Sequence, residues 1–166
     1  SGILSATIAD NAVYGEGVFY NSKLSEATIG KNATFGLGAF QRCLNLTKVN
    51  MPKEGGVHFG SSCFAYCENL AEIDLSKTDD YIEDCAFMGC SSLKKADLAN
   101  VKKIGFCAFA DCAILISVSM PIVEEIGMGA FSVSEFYLSY GYVENGIAPT
   151  FVNVTLPETL TYMDEG

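Results

Sequence analysis

The stretch SATIADNAVYGEGVF, residues 5–19, lies over EATIGKNATFGLGAF, residues 26–40, at an offset of 21 residues. Self-similarity at a short fixed period marks a chain built by stacking one small unit, so the fold question turns on how far the unit extends. Its final residue recurs as Phe19, Phe40, Phe64, Phe87, Phe109 and Phe131, at steps of 21, 24, 23, 22 and 22. Five positions before each stands a large apolar residue (Tyr14, Phe35, Phe59, Ile82, Ile104, Ile126), and directly before each stands a small one. Three positions after it come Cys43, Cys67, Cys90 and Cys112, and six after it Leu46, Leu70, Leu93 and Leu115. A short alternating run follows: Val49-Asn50-Met51, Ile73-Asp74-Leu75, Ala96-Asp97-Leu98 and Val118-Ser119-Met120. Alternation predicts a half-buried strand with its outer residues in solvent. Pro52, Pro121 and Pro157 end such runs because proline cannot donate to a continuing ladder.

One such unit cannot bury its own Phe, Ile and Leu. Stacking units about 4.8 Å apart aligns them into continuous apolar columns. The pattern therefore predicts a repeat solenoid of about seven to eight coils, mostly strand and turn with little helix, forming one domain over 1–166. Two departures stand out. Ser22 replaces cysteine after Phe19, before a strand expected at Ala27-Thr28-Ile29, and after Phe131 the pattern breaks, with an irregular segment over 132–150. FVNVTLPETLTYMDEG, 151–166, resumes it, with Val154-Thr155-Leu156 as a strand and Leu160 and Met163 as core positions. The expected next Ala-Phe would fall beyond Gly166, so the chain reads as a fragment of a longer repeat protein.

Written out, the unit is I-G-x-x-A-F-x-x-C-x-x-L-x-x-I-x-L-P, carried most clearly by GAFQRCLNLTKVNMP, CAFMGCSSLKKADL and CAFADCAILISVSMP. It resembles the BspA-like class of leucine-rich repeat found in surface and secreted proteins of bacteria and some protozoan parasites. The resemblance covers roughly residues 3–138, with a further piece at 151–166. It implies a right-handed, curved solenoid with short parallel strands on the concave side, an extracellular or cell-surface location, and a binding or adhesion role.

Composition removes other classes. Ten Lys plus Arg against twenty Asp plus Glu give a net charge of −10, which disfavours nucleic acid and anionic lipid. Hydrophobic residues are 49% of the chain, yet no apolar run reaches the roughly 20 residues that span a bilayer, so no membrane-spanning segment is expected. One histidine excludes mechanisms that need two in one chain. His58 lies five residues before Cys63, but the repeat places His58 outward beside the core Phe59 and Cys63 inward before Phe64, so no nucleophile pair is expected. The carboxylate pairs Asp79-Asp80, Glu83-Asp84 and Glu124-Glu125 fall in turns as a solvated edge, without the D-x-D-x-D-G spacing of a calcium loop. Neither a metal, a cofactor nor catalysis is expected. Sequons stand at Asn32, Asn45 and Asn153, with Asn45 expected in a packed turn.

Seven cysteines make no CxxC pair. Cys43, Cys67, Cys90 and Cys112 form one column, where a small apolar side chain with a weak donor fills a tight turn and satisfies a backbone carbonyl. Cys85 and Cys107 form a second, with Cys63 one position out of step. Three readings stand: buried free thiols, disulfides between neighbouring coils, whose Cα atoms come within bonding range, and a reactive or metal-binding role.

The outward strand residues form one continuous surface across coils. They are Thr28, Asn50, Asp74, Asp97 and Ser119, flanked by Lys48, Glu72, Lys95 and Ser117. Asp74 and Asp97 side by side repel each other, a modest destabilisation that a basic or hydroxyl-rich ligand would relieve. Tyr137 and Tyr140, in FYLSYGY, are a second candidate as a stacking platform, against the alternative of covering an apolar edge. The expected partners are a host or neighbouring-cell surface protein, a matrix protein or a glycan. The competing expectation is a rigid spacer with no ligand. The protein is expected as a monomer or in end-to-end association, because exposed strand edges invite pairing.

Overall fold

The computed structural model describes residues 4–133, 153–154 and 156–164. Each turn contributes two short strands, and strands of successive turns pair in parallel and in register except at one step. On the first face lie β1 (Ser5–Thr7), β3 (Glu26–Thr28), β5 (Lys48–Asn50), β7 (Glu72–Ile73), β9 (Lys95–Asp97), β11 (Ser117–Ser119) and β13 (Asn153–Val154). On the second lie β2 (Val13–Tyr14), β4 (Thr34–Phe35), β6 (His58–Phe59), β8 (Tyr81–Ile82), β10 (Lys103–Ile104), β12 (Glu125–Ile126) and β14 (Tyr162–Met163). The described residues thus make six phenylalanine-anchored turns of a parallel β-solenoid without helix, and β13 and β14 add the two strands of a seventh.

The first-face strands begin one residue earlier than the alternation predicts. In the fifth such strand Leu98 N–H still donates across to Ser119 O (2.7 Å), but Leu98 O already turns back to accept from Val101 N (3.0 Å). Lys95 therefore belongs to the strand and Leu98 to the turn, with Leu98 buried.

The core is a set of ladders. Phe40, Phe64, Phe87 and Phe109 are buried with 0–1% exposure. Their rings stack at centroid spacings of 5.1 Å, 5.3 Å and 5.3 Å, with interplanar angles of 2°, 11° and 6°. Tyr14, Phe35 and Phe59 make a second aromatic ladder at 5.5 Å steps. The leucine column Leu46, Leu70, Leu93 and Leu115 is equally buried. Leu160 packs on this core, but Met163, read as a core position, is 59% exposed although it pairs with Ile126. It sits on the last described turn, and no further described turn covers it. Asn45 is exposed rather than in a packed turn, because it lies between the inward Cys43 and Leu46.

The cysteine column performs the task its spacing predicts. The thiols of Cys43, Cys67, Cys90 and Cys112 donate to the carbonyls of Phe19, Phe40, Phe64 and Phe87, one turn back, at 3.0, 3.1, 3.2 and 3.3 Å. Each carbonyl also accepts the backbone N–H three residues on, so the thiol is a second donor that ties one turn to the next.

A column of glycines follows the inward residue of the second face: Gly15, Gly36, Gly60, Gly105 and Gly127. A Cβ on Gly36 would lie 2.9 Å from the backbone of Gly15, and one on Gly127 2.8 Å from that of Gly105. The turns approach so closely here that only hydrogen fits. Gly36→Ala is expected to cost about 1–3 kcal/mol, because rigid backbone must separate to admit the methyl group. Chemical denaturation of the two proteins measures it, and an unchanged midpoint would show that the turns are not held at this spacing.

The exception in that column is Glu83, and it marks a seam. The first-face sheet ends at β5 and restarts at β7, and the second-face sheet ends at β6 and restarts at β8. With those strands parted, position 83 has room for a side chain. Contacts still cross the seam, among them the isolated pairing of Val57 with Thr78, the His58–Asp79 pair, and the unbroken turn edge where Phe64 N–H donates to Ala86 O at 2.8 Å.

Candidate binding surface on the first strand face

Alternation turns Ala27, Val49, Ile73, Ala96 and Val118 inward, all buried, and leaves their neighbours outward in two columns. One column runs Glu26, Lys48, Glu72, Lys95, Ser117, and the other Thr28, Asn50, Asp74, Asp97, Ser119. The first column alternates in sign. Lys48 Nζ pairs with Glu26 Oε1 at 2.9 Å, and Asn50 Nδ2 donates to the same oxygen at 2.7 Å and to Thr28 Oγ1 at 3.1 Å. The hydrogen bond from Lys48, then that from Asn50, holds the Glu26 carboxyl below its ordinary range. Glu26 was not among the residues read from sequence as candidates, although it occupies the same repeat position as Lys48, Glu72 and Lys95 and was legible there.

The second column carries the uncompensated charge. Asp74 Oδ1 accepts from Ser76 N at 2.9 Å, and among the described residues neither Asp74 nor Asp97 has a cation within salt-bridge distance. Six of the candidate residues, Lys48, Asn50, Glu72, Asp74, Lys95 and Asp97, line one open depression of about 680 Å³. It straddles the seam between β5 and β7. Ser119 is the register partner of Asp97 but lines a separate depression of about 490 Å³ with Ser117 and Pro157. Tyr137 and Tyr140 lie outside the described residues.

The residues with catalytic potential stay apart. His58 Nδ1 lies 2.8 Å from Asp79 Oδ2 on the half-exposed rim of the second face. Cys63 has no exposure, and burial pushes its thiol far up, out of the range of a nucleophile. On the same rim Lys103 Nζ pairs with Glu125 at 2.7 Å and stands 5.7 Å from the Tyr81 ring centroid. Burial, then the charges of Asp84 and Glu83, pushes the Tyr81 hydroxyl up to about 12. Among the described residues no three His, Cys, Asp or Glu side chains are grouped to hold a metal, and no helix is long and apolar enough to cross a membrane.

This arrangement of anchored phenylalanines, thiol-capped turns and paired short strands is matched over residues 12–137 by the BspA type leucine rich repeat region, in six copies. The chain belongs to the BspA-type leucine-rich repeat family. The crystal structure of a T. pallidum leucine-rich repeat protein is similar, with a TM-score of 0.50 at 18% identity, covering 86% of this chain and 80% of that one. At that identity the likeness speaks to the fold alone. No curated protein sequence matches the chain. As a class, leucine-rich repeats are interaction modules rather than enzymes, and in the BspA-type chain the first strand face offers the outward polar columns for such a role.

Proposed function

We propose that the chain is a non-enzymatic recognition module, at a cell surface or secreted, that holds a protein or glycan partner against the first strand face. The observation that carries this reading is the convergence of Lys48, Asn50, Glu72, Asp74, Lys95 and Asp97, from three successive turns, on one open depression. A solenoid supplies such a surface without further elements, because each turn adds one row of side chains to a rigid backing. Two lysines against three carboxylates leave the depression acidic, and its Asn, Asp and Glu groups present acceptors to hydroxyls or amines. The ligand class that fits is a glycan or a basic, hydroxyl-rich protein segment. The surface location rests on the family resemblance of the repeats.

The test is binding to a panel of immobilised matrix proteins and glycans by the protein and by a variant carrying Asn50→Ala, Asp74→Ala and Asp97→Ala together. All three side chains are outward, so the variant retains the fold, as circular dichroism would verify. A hit weakened tenfold or more, a loss of about 1.4 kcal/mol, supports adhesion through this face. Equal binding by both proteins refutes the face. Absence of binding by either favours a rigid spacer.

A further inference from the structure

The seven thiols fall into two groups. Cys43, Cys67, Cys90 and Cys112 are buried and donate to carbonyls, and Cys63 is buried without exposure. Cys85 and Cys107 are half-exposed, and among the described residues neither sulfur makes a hydrogen bond. They hold the same repeat position, two residues before Phe87 and Phe109, in consecutive turns. Their backbones are left-handed, with φ of 55° and 50°. In other turns this position is Gly17, Gly38, Ser62 or Gly129, also at positive φ. A conformation that favours glycine is here given twice running to a cysteine that packs into no core.

We propose that Cys85 and Cys107 are a reversible redox pair, closing to a disulfide that clips the fourth and fifth turns together. Cys85 N–H donates to Phe106 O at 2.8 Å, the residue before Cys107, and the Phe87 and Phe109 rings two residues on stack at 5.3 Å and 6°. The two turns are therefore in register, which sets the Cα atoms about 4.8 Å apart, inside the disulfide range of about 4.4–6.8 Å. With matching backbone angles the Cβ atoms point the same way and stay nearly as far apart, slightly beyond the usual disulfide spacing of about 3.5–4.5 Å. A half-exposed position lets them close that gap, and a bond formed under slight tension and open to solvent is the labile, reducible kind. Cys107 Sγ already leans toward the next turn, where a Cβ on Gly129 would lie 3.1 Å from it. The same lean at Cys85 carries its sulfur onto Cys107.

The oxidant is a small-molecule disulfide. One protein thiolate attacks it, the reagent's S–S bond breaks, one small thiolate leaves, and a mixed disulfide forms. The second protein thiolate then attacks the protein sulfur of that mixed disulfide and expels the other small thiolate. Two protein thiols give up two electrons and two protons, and the reagent is reduced to two thiols. Burial first, then the neighbouring thiol and Asp84 at Cys85, and Asp111 and Asp84 at Cys107, push both thiols up. Attack therefore accelerates about tenfold per pH unit from neutral pH until the thiols titrate.

The experiment treats the folded protein with oxidised glutathione at several pH values, followed by thiol titration and peptide mass mapping. The expected product has lost two thiols and carries a Cys85–Cys107 cross-link, with its mass lower by two hydrogens, and dithiothreitol restores it. Cys85→Ser, a change that Ser62 shows the backbone accepts, is expected to stop at one glutathione on Cys107. Glutathione on both cysteines without a cross-link would overturn the proposal. So would no reaction under conditions that modify the unfolded chain, or a cross-link that includes a column cysteine.

Discussion

Raising the pH from about 8 to about 10 in reducing buffer removes about 5–6 kcal/mol of stability, because the buried thiols keep their protons while those of the unfolded chain do not. Burial raises Cys63, Cys67, Cys90 and Cys112 well above the ordinary thiol value of 9.0, and for Cys67 and Cys90 the next thiol in the column adds to it. The folded value is raised, so below pH 9.0 both states are protonated and stability is complete. Above it the unfolded chain ionises, binds fewer protons than the folded one, and stability falls as the pH rises toward the folded value. Each thiol costs about 1.4 kcal/mol per pH unit, and four together about 5–6 kcal/mol. Domains of this size hold about 5–15 kcal/mol in all, so the transition falls about one to three pH units above the ordinary thiol value. The measurement is the slope of unfolding free energy against pH, for the protein and for a variant with Cys67, Cys90 and Cys112 changed to Ala. The variant is expected to lose most of the slope, and an equal slope would place the alkaline sensitivity elsewhere.

Phe64→Ala lowers stability by about 3–5 kcal/mol, the range for emptying a fully buried aromatic site. The Phe64 ring stacks on Phe40 at 5.1 Å and on Phe87 at 5.3 Å, and meets Phe59 edge-on at 4.8 Å. Its loss breaks the ladder in the turn beside the seam, where both sheets already part and the ring column carries the coupling between halves. In a solenoid each turn is held by its neighbours alone, so a fault at this turn uncouples the two sides. Phe19, half-buried in the first phenylalanine-anchored turn, is the control, and Phe19→Ala is expected to cost less than half as much. Urea denaturation resolves the two, and equal losses would show that the ladder does not depend on being continuous.

Much of this was legible from residue spacing. A ladder fold repeats one local environment, so each environment leaves a recurring letter: Phe at the anchor, Cys at the carbonyl, Leu at the turn. The candidate surface was legible for the same reason, since alternation assigns Asn50, Asp74 and Asp97 outward once the register is known. Spacing places Glu26 in the same outward column, but its pairing with both Lys48 and Asn50 is set by the stacked turns. The separation of Ser119 from that depression also depends on how the next turns close around it.

By itself the sequence determined the period, the inward columns and hence a parallel stacked coil, because apolar residues at fixed spacing have no other common burial. Tertiary structure alone decided where the stack weakens and which thiols are within reach of a reagent. The sheets part beside Glu83, a residue that differs from its column by one letter, since strand separation depends on backbone approach between turns rather than on any residue alone. Cys85 and Cys107 differ from the other cysteines in exposure, not in type, and exposure is a property of the assembled turns.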